Sequence, residues 1–268
     1  MFKKTILLAL LATSVLAVTA VAATPSGAAE NRADATCRAL RGQLGPTHFV
    51  EAYATFGQCV ANLARVEQQN LDAARAACTA EQRDVNFAAT HGGQTFAAFY
   101  GAGPTGRNAF ARCVGAKSLA SSKAEGQSRP NPARLCTAQR TLMTLTGFSS
   151  FYGRNANDGN AFGKCASTMA KGQVGNELAA AAACRAEQAD AGFAAAHGKT
   201  FAQFYGTDAD LTNAFGKCVA MKAKAKTQAQ QQATTAAVNT CVAERKANRT
   251  TFKNTYGTFR SCVKQHGG

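Results

Sequence analysis

Residues 78–113 read CTAEQRDVNFAATHGGQTFAAFYGAGPTGRNAFARC, and residues 184–218 read CRAEQADAGFAAAHGKTFAQFYGTDADLTNAFGKC. Both begin and end on cysteine. Both contain an AEQ triplet, a His-Gly step, an aromatic FxxFYG run and an NAF segment just before the second cysteine. Looser copies run over 37–59, 136–165 and 241–262, so the ten cysteines fall in five pairs: Cys37 with Cys59, Cys78 with Cys113, Cys136 with Cys165, Cys184 with Cys218, and Cys241 with Cys262. A repeat carrying two cysteines per copy is most simply one disulfide per copy. Alternating connectivity between repeats would need strained crossings.

Each copy reads as a helical hairpin. The segment NLDAARAACTAEQRDVNFAAT (70–90) is rich in helix formers and lacks Pro and Gly. His91-Gly92-Gly93 and His197-Gly198 end that helix with a glycine stop. The aromatic run forms a short helix whose rings share a face at i, i+3 and i+4. Asn108, Asn160 and Asn213 read as N-caps of the returning helix, which carries the second cysteine about one turn in. A module of about 35–50 residues cannot bury enough apolar area to be secure alone. Closing its loop with a disulfide contributes roughly 3–4 kcal/mol in the chain-entropy account. The aromatic cluster of Phe87, Phe96, Phe99, Tyr100 and Phe110 supplies the rest.

Distances between successive pairs alternate, 19 residues from Cys59 to Cys78 and 23 from Cys113 to Cys136, then 19 and 23 again. The expected fold class is therefore all-α, tandem disulfide-braced helical hairpins arranged as a one-dimensional array. The expected divisions are a signal peptide over 1–23, repeats one and two over 24–113, a linker over 114–133, and repeats three and four over 134–219. A linker or exposed helix follows over 220–238, then a basic fifth repeat over 239–268. Modules one and five lack the long loop, begin their return helices at Thr55 and Thr258, and read as capping repeats. The 59–78 connection reads as one continuous helix, whereas Gly172 and Gly175 suggest a kink or break in its counterpart.

Lys3 and Lys4, an apolar stretch from Ile6 to Val18 and small residues at 20–23 have the form of a secretory signal peptide, too short in its apolar part for a bilayer span. No cysteine lies near the cleavage site, which disfavours a lipoprotein. Export permits disulfides. Zinc is disfavoured because its ligands need close spacings such as CxxC, and the nearest cysteines here are 19 residues apart. Without Lys3 and Lys4 the chain has 28 Lys and Arg against 15 Asp and Glu, a net +13. Residues 222–268 alone hold nine cations against Glu244. The charge is a C-terminal property.

The pattern of Tyr205-Gly206-Thr207 with Asn213 through Val219, repeated at Asn160 to Cys165, resembles uncharacterised secreted proteins of high-GC Gram-positive bacteria that carry repeated YGT…NAFGKCV cysteine-pair modules. The resemblance covers most of residues 37–262 and implies export and repetition, with no particular chemistry.

No GxSxG, HExxH, P-loop or dinucleotide fingerprint is present, every cysteine belongs to the repeat, and no cofactor, metal or catalytic residue is assigned. Glu81, Glu187 and Glu244, three residues after a first cysteine, pair by expectation with Arg112, Lys164 and Lys217, which precede a second cysteine. His91 and His197 read as helix C-cap residues facing the dipole. The loops 154–160 and 207–213 faintly suggest calcium ligands but lack the acidic closing residue, so turn formation explains them. The functional candidates are Lys222, Lys224, Lys226, Arg245, Lys246, Arg249, Lys253, Arg260 and Lys264, with Lys246, Arg249 and Lys253 at helical spacing. They point to a polyanion: an anionic cell-envelope polymer, lipid headgroups or extracellular DNA. The expected role is a secreted, envelope-associated, non-enzymatic binding or scaffold protein. The alternative is a protein-binding or inhibitory module using the loops at 101–107, 153–159 and 206–212, and the third is a hydrolase with an unrecognised site.

Overall fold

The computed structural model describes residues 24–103, 105–153 and 160–268. Among the described residues it is all-helical, with a single isolated bridge between Ala102 and Arg107 in place of any strand. All five expected disulfides form, Cys37–Cys59, Cys78–Cys113, Cys136–Cys165, Cys184–Cys218 and Cys241–Cys262.

Module one pairs α1 (Gly27–Tyr53) with the start of α2 (Phe56–Arg83). α1 kinks at Gly45, whose φ of 75° suits glycine, immediately before Pro46. Module two runs from the end of α2 through α3 (Phe87–Thr90) and α4 (Phe96–Tyr100) into α5 (Ala109–Ser128). Module three is α6 (Pro132–Leu142), α7 (Leu145–Tyr152) and the start of α8 (Ala161–Ala189). Module four joins the end of α8 through α9 (Phe193–His197) and α10 (Phe201–Tyr205) to α11 (Ala214–Ala247). Module five joins the end of α11 to α12 (Arg249–Tyr256) and α13 (Phe259–Gln265).

The asparagines expected to cap the return helices α5, α8 and α11 hold the cap positions without a side-chain cap bond, and five threonines cap other helices. Thr55, Thr95, Thr144, Thr200 and Thr258 accept from the amides of Gln58, Ala98, Gly147, Gln203 and Ser261. Asn213 holds the cap position of α11, but its amide group bonds Thr207 from both ends and closes the preceding loop instead. Asn108 sits in the left-handed region, with φ 61°, and makes no side-chain cap.

Two expectations about the connections are corrected, and for a third the structure takes the helix over the linker. The 114–133 linker is mostly helix: α5 runs through Ser128 and buries Ser118, Ser121, Ala124 and Glu125, and only 129–131 turn the chain. Serine-rich composition gives way here because the Ser118 and Ser122 hydroxyls donate back to the Val114 and Ser118 carbonyls, and packing stabilises the helix more than propensity opposes it. α8 passes Gly172 and Gly175 unbroken. Residues 220–238 are helical within α11, with Ala223, Thr227, Ala237 and Val238 buried, so that helix is only partly exposed.

The modules also do not form a line. α2 packs on α5 and α8, α11 packs on α5 and α8, and α1 and α6 lie against α8. Modules three and five share one hydrophobic core, in which Cys136, Phe148, Tyr152 and Cys165 meet Val238, Cys241, Phe252 and Cys262. Gly147 of α7 permits this meeting: a side chain there would stand 2.9 Å from Val238 Cγ1. Module one takes Ala170 of α8 into its core, and module four takes Ala73 of α2. The terminal modules therefore pack inward and do not cap an array.

Where the four long helices meet, the interior is polar. Glu67 and Asn70 of α2, Glu125 of α5, and Asn176 and Glu177 of α8 are all buried. Arg129, just past α5, grips Glu177 with two parallel bonds of 2.7 and 2.8 Å. Asn70 donates to Glu125 at 3.1 Å, and Ser122 donates to Glu67.

Candidate anion-binding cleft

The nine predicted cations do not share one face. Asn248, with φ −153° and ψ 103°, ends α11 and caps α12 by accepting from the Thr251 amide at 2.9 Å. Lys246 therefore lies on one helix and Arg249 and Lys253 on the next, which breaks the continuous i, i+3, i+7 stripe. Lys222 Nζ is 2.8 Å from the Glu187 carboxylate. Arg245 lies 4.8 Å over the Phe259 ring and donates to Ser150 Oγ at 3.2 Å. These two are structural. Lys224, Lys226, Lys246, Arg249 and Lys253 are exposed and spread around α11 and α12.

Arg260 and Lys264 are different. They stand one turn apart on α13 and line a cleft of about 540 Å³ together with Lys164 and Lys171 of α8. Phe151 and Tyr152 of α7, Ser167 and Thr168 of α8 and Gly268, the last residue of the sequence, complete it, and among the described residues no Asp or Glu side chain lines it. Lys164, Lys171 and Lys264 make no ion pair among the described residues. Arg260 donates only a long bond, 3.4 Å, to the Tyr152 carbonyl. Four cations on a concave wall with no Asp or Glu side chain among its described lining residues raise the local positive potential above that of a scattered surface. A second pocket of about 290 Å³ shares Phe151, Tyr152 and Thr168 with the cleft and extends between α8 and α11 past Met169, Gly172 and Gln231.

Of the four cleft cations, the sequence reading singled out Arg260 and Lys264 for an anion, gave Lys164 to an ion pair and did not single out Lys171. The seven-residue spacing of Lys164 and Lys171 puts them two turns apart on one face of α8, which was a usable signal. The packing of module five on module three, which brings the two pairs together, leaves no local trace.

Glu81, Glu187 and Glu244 do form ion pairs, but with residues other than those expected. Each meets the residue four after the second cysteine: Lys117 at 2.8 Å, Lys222 at 2.8 Å and His266 at 3.1 Å. Arg112 and Lys217 lie five residues before Lys117 and Lys222, about 140° around the helix at 100° per residue, and cannot reach. Tyr100 and Tyr205 donate to Glu81 and Glu187 at 3.0 and 2.8 Å, and in module three Tyr152 donates to Gln139 at 2.5 Å. Burial and the Glu81 charge push the Tyr100 phenol up. Burial alone would push Glu187 up, but hydrogen bonds from Lys222 and Tyr205 hold its carboxyl below the ordinary range. This is a brace repeated behind three disulfides.

His91 stacks 3.7 Å from Phe87 and bonds the Phe87 carbonyl at 2.9 Å, while His197 packs 4.3 Å from Phe193. Each closes a helix of four or five residues, α3 or α9; the long helix expected to run up to these glycine stops ends earlier, at Arg83 and Ala189. His266 lies close to Cys241 and Cys262, but those sulfurs are joined to each other and offer no thiolate to a metal. In the loop 207–213, Asp208 accepts from Thr212 at 2.5 Å and serves the turn itself. Residues 154–159 of the other suggested calcium loop, and of the loop proposed for a protein partner, lie outside the described residues. Among the described residues no helix is long and apolar enough to cross a membrane. Comparison with protein families, with curated proteins and with solved structures returns no match.

Proposed function

We propose that this is an exported, non-enzymatic binding protein of the cell envelope or its surroundings, and that it holds an anionic ligand in the cleft between α8 and α13. Five buried disulfides suit an oxidising compartment, and the N-terminal sequence has the form of an export signal. The observation that carries the anion reading is the convergence of Lys164, Lys171, Arg260 and Lys264 on one concave surface with no Asp or Glu side chain among its described lining residues. The looser cations of α11 and α12 add long-range attraction to a polymeric ligand.

The test is binding of the oxidised protein to isolated cell walls and to DNA across a salt series. About four phosphate contacts predict roughly a hundredfold loss of affinity between about 50 and 200 mM salt. Replacing Lys164, Lys171, Arg260 and Lys264 by Gln should remove most of that salt dependence. Absence of binding to either polymer sinks the polyanion reading and moves attention to the hairpin loops and a protein partner.

A further inference from the structure

We infer that the cationic cleft and the pocket beside it form one site for a single-chain anionic amphiphile, a phosphate head on an alkyl tail. This rests on the anion reading and narrows its ligand to the lipid class. The two cavities share the Phe151 and Tyr152 wall and Thr168, so a molecule can run from one into the other. The outer end presents Lys164, Lys171, Arg260 and Lys264.

The inner end has several polar residues; most of their donors are engaged within the protein, while the buried Gln173 Oε1 has no partner. Asn176 donates to Thr227 at 3.0 Å and to Gln230 at 2.8 Å, Gln173 donates to the Pro130 carbonyl at 2.7 Å, and the Tyr152 hydroxyl bonds Gln139. Apart from that oxygen, what remains for a ligand is the aliphatic part of these side chains, together with Met169, the Phe151 ring and the bare backbone of Gly172. No atom lies within 4 Å of where a Gly172 side chain would start. A polymer charged at every repeat would place a charge there without a partner, at a desolvation cost. An alkyl tail meets no such cost and tightens binding roughly fourfold for each methylene it buries.

The experiment uses the full-length oxidised protein and isothermal titration with decyl phosphate below its micelle threshold, with hexyl phosphate, inorganic phosphate and a long polyphosphate as companions. Decyl phosphate is expected to bind one to one, at least tenfold tighter than hexyl phosphate and tighter again than inorganic phosphate. Gly172→Leu fills the pocket from a helical position where leucine favours the fold. It should weaken decyl phosphate at least tenfold and leave polyphosphate unchanged. Lys171→Gln with Lys264→Gln should weaken both. Equal affinity for the three small phosphates, or decyl phosphate binding that ignores Gly172→Leu, overturns the inference. Loss of polyphosphate and DNA binding with decyl phosphate retained would overturn the polymer reading alone.

Discussion

Burial and the neighbouring carboxylates drive the Glu125 carboxyl toward its neutral form. It is 2% exposed, receives one hydrogen bond from Asn70, and has Glu67 and Glu177 nearby, while Arg129 is committed to Glu177. Burial first, then the Glu177 charge, pushes its carboxyl well above the ordinary range. The folded protein therefore binds a proton that the unfolded chain releases above about pH 4.3. The sign follows: this group's contribution is fully present below that value and is lost as pH rises toward the folded pKa. Glu125→Gln keeps a carbonyl for Asn70 and removes the titration. Thermal melts should show it more stable than the parent at pH 8, by about 1–2 kcal/mol, with the gain shrinking toward pH 4. A variant less stable than the parent at pH 8 would mean that Glu125 is needed as an anion beside Arg129. At the same scale, one position of the repeat was only half legible. The residue three after the first cysteine and the residue four after the second form the pairs Leu40 and Leu63, Glu81 and Lys117, Gln139 and Met169, Glu187 and Lys222, and Glu244 and His266. Charge appears at both positions together or at neither. Alignment within the chain contained that partner, but adjacency to the cysteine suggested a different one, on the far side of the helix.

The helices were legible because each module is a local object, with its cysteines, aromatic run and stop signals all within about 35 residues. Their lengths were not. Serine and glycine over 118–128 have weak helix preference, and 221–240 is polar on most sides, yet α5 runs on to Ser128 and α11 through the second stretch because both pack against other long helices. Gly216 on α11 marks one close approach: a side chain there would start 2.4 Å from the Ser121 Cα and carbonyl oxygen of α5. The clash is with backbone, so one helix must move. Gly216→Ala is expected to cost about 2–3 kcal/mol, against the usual gain from placing alanine in a helix. Gly175→Ala on α8 is the control, since nothing lies within 4 Å of its new methyl, and it should stabilise by about 0.5–1 kcal/mol. Urea unfolding of both variants checks the pair. A neutral Gly216→Ala would show that α5 and α11 can separate without penalty.

At the scale of the whole molecule, sequence order and spatial order part company. Repetition alone suggests that each module touches its neighbours in the chain, and in that arrangement module three would depend on modules two and four. The structure instead joins module three to module five through a common core, bypassing module four. This is why the cleft could not be assembled from sequence: Lys164 and Arg260 are brought together by an interface that no local pattern encodes. It also means that cutting the chain after Ala220 to delete the basic section would strip module three of half its core, so point substitutions give the cleaner test of binding. The shared core makes its own prediction. Replacing Cys136 and Cys165 by alanine opens a bridge spanning 29 residues and should cost roughly 3–4 kcal/mol. Hydrogen exchange read segment by segment would show where that loss goes. Protection should fall in α6 and α7 and, with them, in α12 and α13, where Phe252, Phe259 and Val263 lose their packing partners. α9 and α10 of module four, whose core is separate, should keep theirs. Loss confined to module three, or spreading to module four before module five, would restore the linear array. Loss in modules three and five together would establish that the cation-lined cleft lies within a single cooperative unit, and that disulfide formation in module three helps to hold both of its walls, α8 and α13, in place.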